Sequence, residues 1–140
     1  LKLNVVLHSS GPKKLKNADI YLVDTYGETK KFYDCSDVVF MGKSLAGKGG
    51  QNPLEPARSG AAVLHGPNID NFSDIYRLLE KLKITYKVNG ETSLRNLVNK
   101  LIIKPNSKKN YLKIEKIGKK ILDETKDEIN SLLNNEIKKT

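Results

Sequence analysis

The 140-residue sequence predicts an α/β fold: a parallel sheet flanked by helices, with one long helix toward the C-terminal end. Three observations predict it. Short apolar runs rich in β-branched residues recur along the chain, helical patterns alternate with them, and an amphipathic helical period takes over after residue 107. Leu3 to Leu7, Ile20 to Val23, Val38 to Met41, Ala61 to His65 and Ile84 to Val88 read as strands. Between them, Glu28 to Ser36, Asn52 to Ser59, Phe72 to Leu82 and Thr92 to Ile103 read as helices. Strand–helix alternation implies right-handed crossovers and a parallel, Rossmann-like sheet.

The first connection departs from that plan. Ser9-Ser10-Gly11-Pro12-Lys13-Lys14 is loop chemistry and leaves little room for a helix before Ile20. The opening run, Leu1 to Leu7, reads as a buried strand and predicts that the chain begins inside a larger fold. From Ser107 onward Tyr111, Ile114, Ile121, Ile129, Leu132 and Leu133 recur at helical spacing, with a break expected near Gly118. The expected division is therefore a partial nucleotide-sugar-binding domain over 1–106 and an amphipathic helical segment over 107–140. That segment would pack on the domain or on a partner domain.

With 38% hydrophobic and 29% charged residues, the composition is that of an ordinary globular domain. No apolar run approaches the roughly 20 residues that cross a bilayer. The single cysteine, Cys35, excludes an internal disulfide; with no histidine beside it, a small buried side chain is expected rather than a nucleophile. The net charge of +9 raises the question of an anionic partner. Lys104 to Lys120 holds seven lysines against the single Glu115. Lysine without arginine or interleaved aromatics is weak support for base recognition, so a solvated basic face is the plainer reading and nucleic acid is not expected. Peripheral contact with an anionic membrane stays open.

The chemistry concentrates between Asp24 and Phe72. Asp24-Thr25-Tyr26-Gly27-Glu28 follows a strand and opens a helix, where an open parallel sheet gathers its ligands. The second stretch, Phe40 to Ala57, ends a strand in a glycine-rich loop and delivers Asn52 as helix cap, with Pro53 as first helical residue. Gly47, Gly49 and Gly50 let backbone amides approach a ligand, the helix start favours an anion, and Lys43 and Lys48 add charge. Gly42-Lys43-Ser44 resembles the end of an ATP-binding P-loop, but Asp37 stands where that motif requires glycine and residues 38 to 41 are strand. The P-loop reading fails. Glu55, one turn into the helix, either complements the helix dipole or accepts hydrogen bonds from ribose hydroxyls. His65 ends a strand and reads first as a structural histidine; His8 shows no metal-ligand spacing, and no metal or cofactor is expected.

Taken together, Tyr21 to Thr25 with Gly27-Glu28, then Gly42, Ser44-Leu45, Gly49-Gly50, Asn52 to Ala57, Gly66-Pro67 and Asn71-Phe72 resemble the C-terminal half of the Kdo transferases. The resemblance covers nearly the whole chain and weakens after Lys87. It implies a GT-B fold, two Rossmann-like domains facing a cleft, and transfer of 3-deoxy-D-manno-octulosonic acid (Kdo) from CMP-Kdo to a lipid A precursor. That reaction belongs to lipopolysaccharide synthesis at the cytoplasmic face of the bacterial inner membrane. Position by position, it implies that Gly27 and Glu28 line the cytidine side of the donor pocket. Ser44, Lys48, Gly49, Gly50 and Asn52 would surround phosphate and sugar, and Glu55 would hold the ribose.

Three positions depart from the family pattern. Lys43 stands where a second glycine is usual, Lys48 where arginine is common and Gln51 where histidine is common. Lysine keeps the charge but loses the bidentate fork. The resemblance also implies that the acceptor site, the general base and the first strand and helix of the donor domain lie outside this sequence. Direct displacement by an acceptor hydroxyl would need that base, so the chain alone is expected to be inactive. A nucleotide-sugar enzyme of the same fold acting on a UDP-sugar, a transferase or an epimerase, is the alternative, and a basic module for nucleic acid or anionic membrane is a second.

Overall fold

Five short strands, all paired in parallel, alternate with helices in the computed structural model, which describes residues 2–11, 15, 17–104 and 109–137. The strands are β1 (Val5–Leu7), β2 (Ile20–Leu22), β3 (Val38–Phe40), β4 (Ala62–His65) and β5 (Thr85–Lys87). The helices are α1 (Thr29–Asp34), α2 (Leu54–Arg58), α3 (Ser73–Lys81), α4 (Glu91–Ile103) and α5 (Lys109–Ile137). Each strand, and each helix up to α4, lies within two residues of where the sequence puts it.

The sheet is divided. β1 pairs only with β2, in register Val5 to Ile20, while β3, β4 and β5 form a second sheet with Val38 opposite Ala62 and Val63 opposite Thr85. Among the described residues β1, β2, β3 and β5 therefore each carry one unpaired edge.

β4 is the centre of the larger sheet and is buried at every position. Successive side chains of a strand point to opposite faces, and β4 shows it. Val63 packs with Met41, Ala57, Tyr76, Leu79 and Ile84 on the α2–α3 side. Ala62 and Leu64 pack with Leu101 of α4 on the other. A strand covered on both faces has no polar alternation to show, which is why this one reads as an unbroken apolar run.

The smaller sheet corrects the expectation of a buried first strand. Val5, Leu7, Ile20 and Leu22 share one face by alternation and stay 41–49% exposed. A two-stranded sheet is covered only where a helix lies on it, and here Phe32 of α1 reaches the opposite face through His8 and Tyr21. Cys35 is exposed, not buried: it falls just past the last turn of α1, off the face carrying Phe32 and Tyr33.

α5 runs unbroken through Gly118, correcting the expected interruption. One interior glycine costs only about 1 kcal/mol of helix propensity, and the flanking lysines, isoleucines and leucine carry the helix across it. Ile114 packs against the core beside α2 and α3. The Pro12–Lys14 loop, Lys108 of the basic run and the Tyr111 side chain fall outside the described residues. Among the described residues no helix is long and apolar enough to cross a membrane.

Candidate functional site

The loops leaving β3 and β4 are fastened to each other by main-chain hydrogen bonds. Ser44 is fully buried; its hydroxyl donates to the Met41 carbonyl and accepts the Gly66 amide at 2.8 Å. The Asn68 amide donates to the Ser44 carbonyl at 2.9 Å and the Asn71 amide to the Gly49 carbonyl at 3.2 Å. The Asn68 side chain adds a bond to the Leu45 carbonyl at 3.3 Å.

Glycine is obligatory at this contact. A Cβ on Gly66 would lie 2.2 Å from the Ser44 carbonyl oxygen. Gly49 and Gly50 have φ of 89° and 64°, and a Cβ on them would meet Asn71 at 2.6 Å and the Asn68 carbonyl at 2.8 Å. The sequence pointed these glycines at a ligand. In the structure the space that a side chain would need is taken by the chain itself, a constraint that holds whatever the loop binds.

Lys43, where the resemblance places glycine, sits at φ 61°, in the left-handed region that an L side chain enters at a cost of about 1–2 kcal/mol. That is a backbone conformation glycine adopts without cost. Lys48 is exposed at the loop's far end.

The loop ends where Asn52 Oδ1 accepts the Leu54 amide at 3.0 Å, and the residue at the N-cap of α2 is Pro53 rather than the expected Asn52. α2 begins one residue later than expected, at Leu54. With five residues it carries little macrodipole, so attraction for an anion falls to the loop amides and the lysines. The Gln51 carbonyl accepts the Tyr76 hydroxyl at 3.0 Å, and burial pushes that phenol up to about 12. Glu55 is exposed and borders a polar cleft of about 370 Å³ with Lys30, Asp34, Arg58 and Ser59. Across that cleft α1 is tied to α2 by the Ser59 hydroxyl, which donates to Asp34 at 2.7 Å.

The loop after β2 is built differently. Asp24 accepts both the amide and the hydroxyl of Ser9, at 2.9 and 2.6 Å, and these bonds hold its carboxyl below the usual range. Asp24 thus joins the carboxyl ends of β1 and β2. Gly27 turns the chain at φ 82°. Glu28 lies 3.7 Å from His8 Nε2 and 3.1 Å from Lys31 Nζ, and His8 Nδ1 is 2.7 Å from the Tyr21 hydroxyl.

His8, Ser9, Asn68 and Asn71 were not singled out by their own chemistry in the sequence. The available signal was topological: parallel neighbours bring their carboxyl ends together, so residues just past β1 meet those just past β2. His65 is buried, its Nδ1 is 2.7 Å from the Gly66 carbonyl oxygen, and its ring lies 4.3 Å from that of Tyr76. Burial lowers its pKa below the ordinary histidine value. That is a structural setting.

No family model matches the chain. A 3-deoxy-D-manno-octulosonic acid transferase of Haemophilus influenzae is 31% identical over 133 residues, 94% of this chain and 30% of that protein. The Aquifex aeolicus enzyme of that name is 31% identical over 103 residues, covering 74% of this chain and 28% of the relative. That of Rickettsia prowazekii is 33% identical over 130, covering 87% and 28%. The chain thus spans about three-tenths of the length of these relatives. The crystal structure of the C-terminal CMP-Kdo binding domain of WaaA from Acinetobacter baumannii superposes with a TM-score of 0.70 at 24% identity. That match covers 78% of this chain and 57% of the other, and at that identity it establishes the fold. On its sequence relatives, and with a fold that agrees, the chain belongs to the 3-deoxy-D-manno-octulosonic acid transferase family.

Proposed function

We propose that the chain binds CMP-Kdo as the donor-holding part of a Kdo transferase. The observation that carries this reading is the pair of loops at the carboxyl ends of β3 and β4, stapled through Ser44–Gly66 and Asn71–Gly49, in a chain of that family. Family members are named as Kdo transferases, and the WaaA domain of like fold is named for CMP-Kdo binding.

In this proposal Lys48 and the amides of Gly49 and Gly50 meet the phosphate, and Asn52 holds the loop's exit. Glu55 accepts the ribose hydroxyls from its exposed place in the cleft beside α1. Gly27 and Glu28 border the cytidine side. Ser44 has its hydroxyl fully used within the protein, so its role is to shape the loop rather than to touch the donor. In transfer, the charge developing on the departing CMP phosphate would be stabilised by preorganised amides and Lys48. The attacking hydroxyl, belonging to a lipid A precursor, and the base that deprotonates it would be supplied outside this chain. The whole enzyme would act at the cytoplasmic face of the inner membrane.

Titration of the chain with CMP, followed by calorimetry or ligand-observed NMR, tests the reading. CMP is expected to bind more tightly than UDP. Glu55→Ala and Lys48→Ala are expected to weaken CMP by about tenfold each, the loss of one charge-assisted hydrogen bond worth about 1.5 kcal/mol. Equal affinity for CMP and UDP would favour a different nucleotide sugar, and unchanged CMP affinity in Glu55→Ala would take Glu55 out of the site.

A further inference from the structure

The loop after β4 fixes a carboxamide in place without using it. Ile69 and Phe72 pack against the core, and Asn71 between them is exposed. The Phe72 amide donates to the Ile69 carbonyl at 2.9 Å, closing the short 3-10 turn Asp70–Phe72. The Asn71 amide donates to the Gly49 carbonyl at 3.2 Å. The point from which the Asn71 side chain leaves the backbone is thus set by the core on one side and the glycine loop on the other.

That side chain lies over Gly49. The place where a Cβ of Gly49 would stand is 2.6 Å from Asn71 Nδ2 and 3.4 Å from Oδ1, so the amino end of the carboxamide is the nearer to the glycine loop. Among the described residues the carboxamide makes no hydrogen bond. Asn68, three residues earlier, differs: its carboxamide is spent on the Leu45 carbonyl at 3.3 Å. Gly49 is buried, and its own amide has no acceptor among the described residues either. A buried main-chain N–H nearly always finds a partner, and an Asn side chain brings two more donors. Lys48, the preceding residue, is exposed and adds a positive charge. Donors without acceptors beside a cation complement the oxygens of an anion.

We propose that Asn71 is a further donor-binding residue, its Nδ2 donating to the phosphate of the nucleotide beside the Gly49 amide. This rests on the CMP-Kdo reading above and deepens it, since part of the phosphate seat then comes from the loop after β4. The main-chain bond between Asn71 and Gly49 holds the two donors side by side. It also gives the bare Cα of Gly49 a use, because a side chain there would displace the carboxamide.

Titration with CMP and with cytidine, which lacks the phosphate, tests this by calorimetry or ligand-observed NMR. The parent chain is expected to bind CMP the more tightly. Asn71→Ala should weaken CMP about tenfold and leave cytidine unchanged. It should also melt with the parent, since the side chain removed bonds to nothing in the chain. Asn71→Asp, which sets a carboxylate against the phosphate, should bring CMP down to the affinity of cytidine. Equal losses for CMP and cytidine, or a CMP loss accompanied by a fallen melting temperature, overturn the proposal. A parent that binds CMP while both variants match it overturns this inference and leaves the donor reading standing. A parent that binds no CMP overturns the donor reading, and the role of Asn71 with it.

Discussion

The hydroxyl of Ser44 accepts the amide of Gly66, 22 residues away, at 2.8 Å, and the Gly66 Cα faces the Ser44 carbonyl with no room for a Cβ. Two loops that the sequence separates by a helix and a strand are here a single unit. The geometry of one cannot change without the other.

Gly66→Ala should therefore be severe. A Cβ at 2.2 Å from a carbonyl oxygen forces the backbone apart, and overpacking of this kind costs about 1–3 kcal/mol or more. Ser44→Ala should cost about 1–3 kcal/mol, because it leaves the buried Gly66 amide without its acceptor. Urea denaturation of both variants checks this, and the double variant should lose less than the sum of the two.

Lys43→Gly should be neutral or stabilising by up to about 1.5 kcal/mol. Relief of the left-handed strain is worth about 1–2 kcal/mol, and the greater freedom of glycine in the unfolded chain gives back about 0.5–1 kcal/mol. Lys43→Val, with a β-branched side chain at φ 61°, should destabilise. Thermal melts of the two variants beside the parent, showing opposite shifts in Tm, are the expected result; equal shifts would contradict it.

Acid should weaken the fold through His65. Its folded pKa lies below the ordinary histidine value of 6.5 because burial disfavours the imidazolium. Above about pH 6.5 the ring is neutral in both states and the stability is full. As the pH falls below that, the unfolded chain takes up a proton that the folded chain refuses, so stability drops until the folded pKa is passed. One such group gives a slope of at most about 1.4 kcal/mol per pH unit. Urea midpoints measured from pH 7.5 to 5 should fall, and His65→Gln should flatten the part of the curve that His65 supplies.

Tyr76→Phe should cost about 1 kcal/mol by deleting the bond from a buried hydroxyl to the Gln51 carbonyl. Since that bond anchors the exit of the glycine loop next to Asn52, the variant should also bind CMP more weakly than the parent, by several-fold. Paired melts and CMP titrations separate the two effects; a loss of stability with intact CMP affinity would confine Tyr76 to packing.

Much of this molecule was legible from local pattern. The five strands and the four helices before residue 104 were readable because each is bounded by turn chemistry and carries its own period. The fate of the glycines was not readable. Gly49 and Gly50 advertise conformational freedom in the sequence, but nothing local says that Asn68 to Asn71 will occupy the space they leave. Nor does anything local to Glu28, which the resemblance sets on the cytidine side of the pocket, say that the end of β1 will bring His8 beside it.

The sequence by itself determined the α/β order, the glycine positions and the family, since all of these are written in short-range spacing and residue type. Only the tertiary structure decided that β1 and β2 pair apart from β3, β4 and β5, that Val5 and Leu7 lie open to solvent, and that Ser44 serves the fold. It also decided that α5 runs on past the domain. Those outcomes depend on which distant segments cover which faces. Periodicity states that a face is apolar; only packing states what, if anything, buries it.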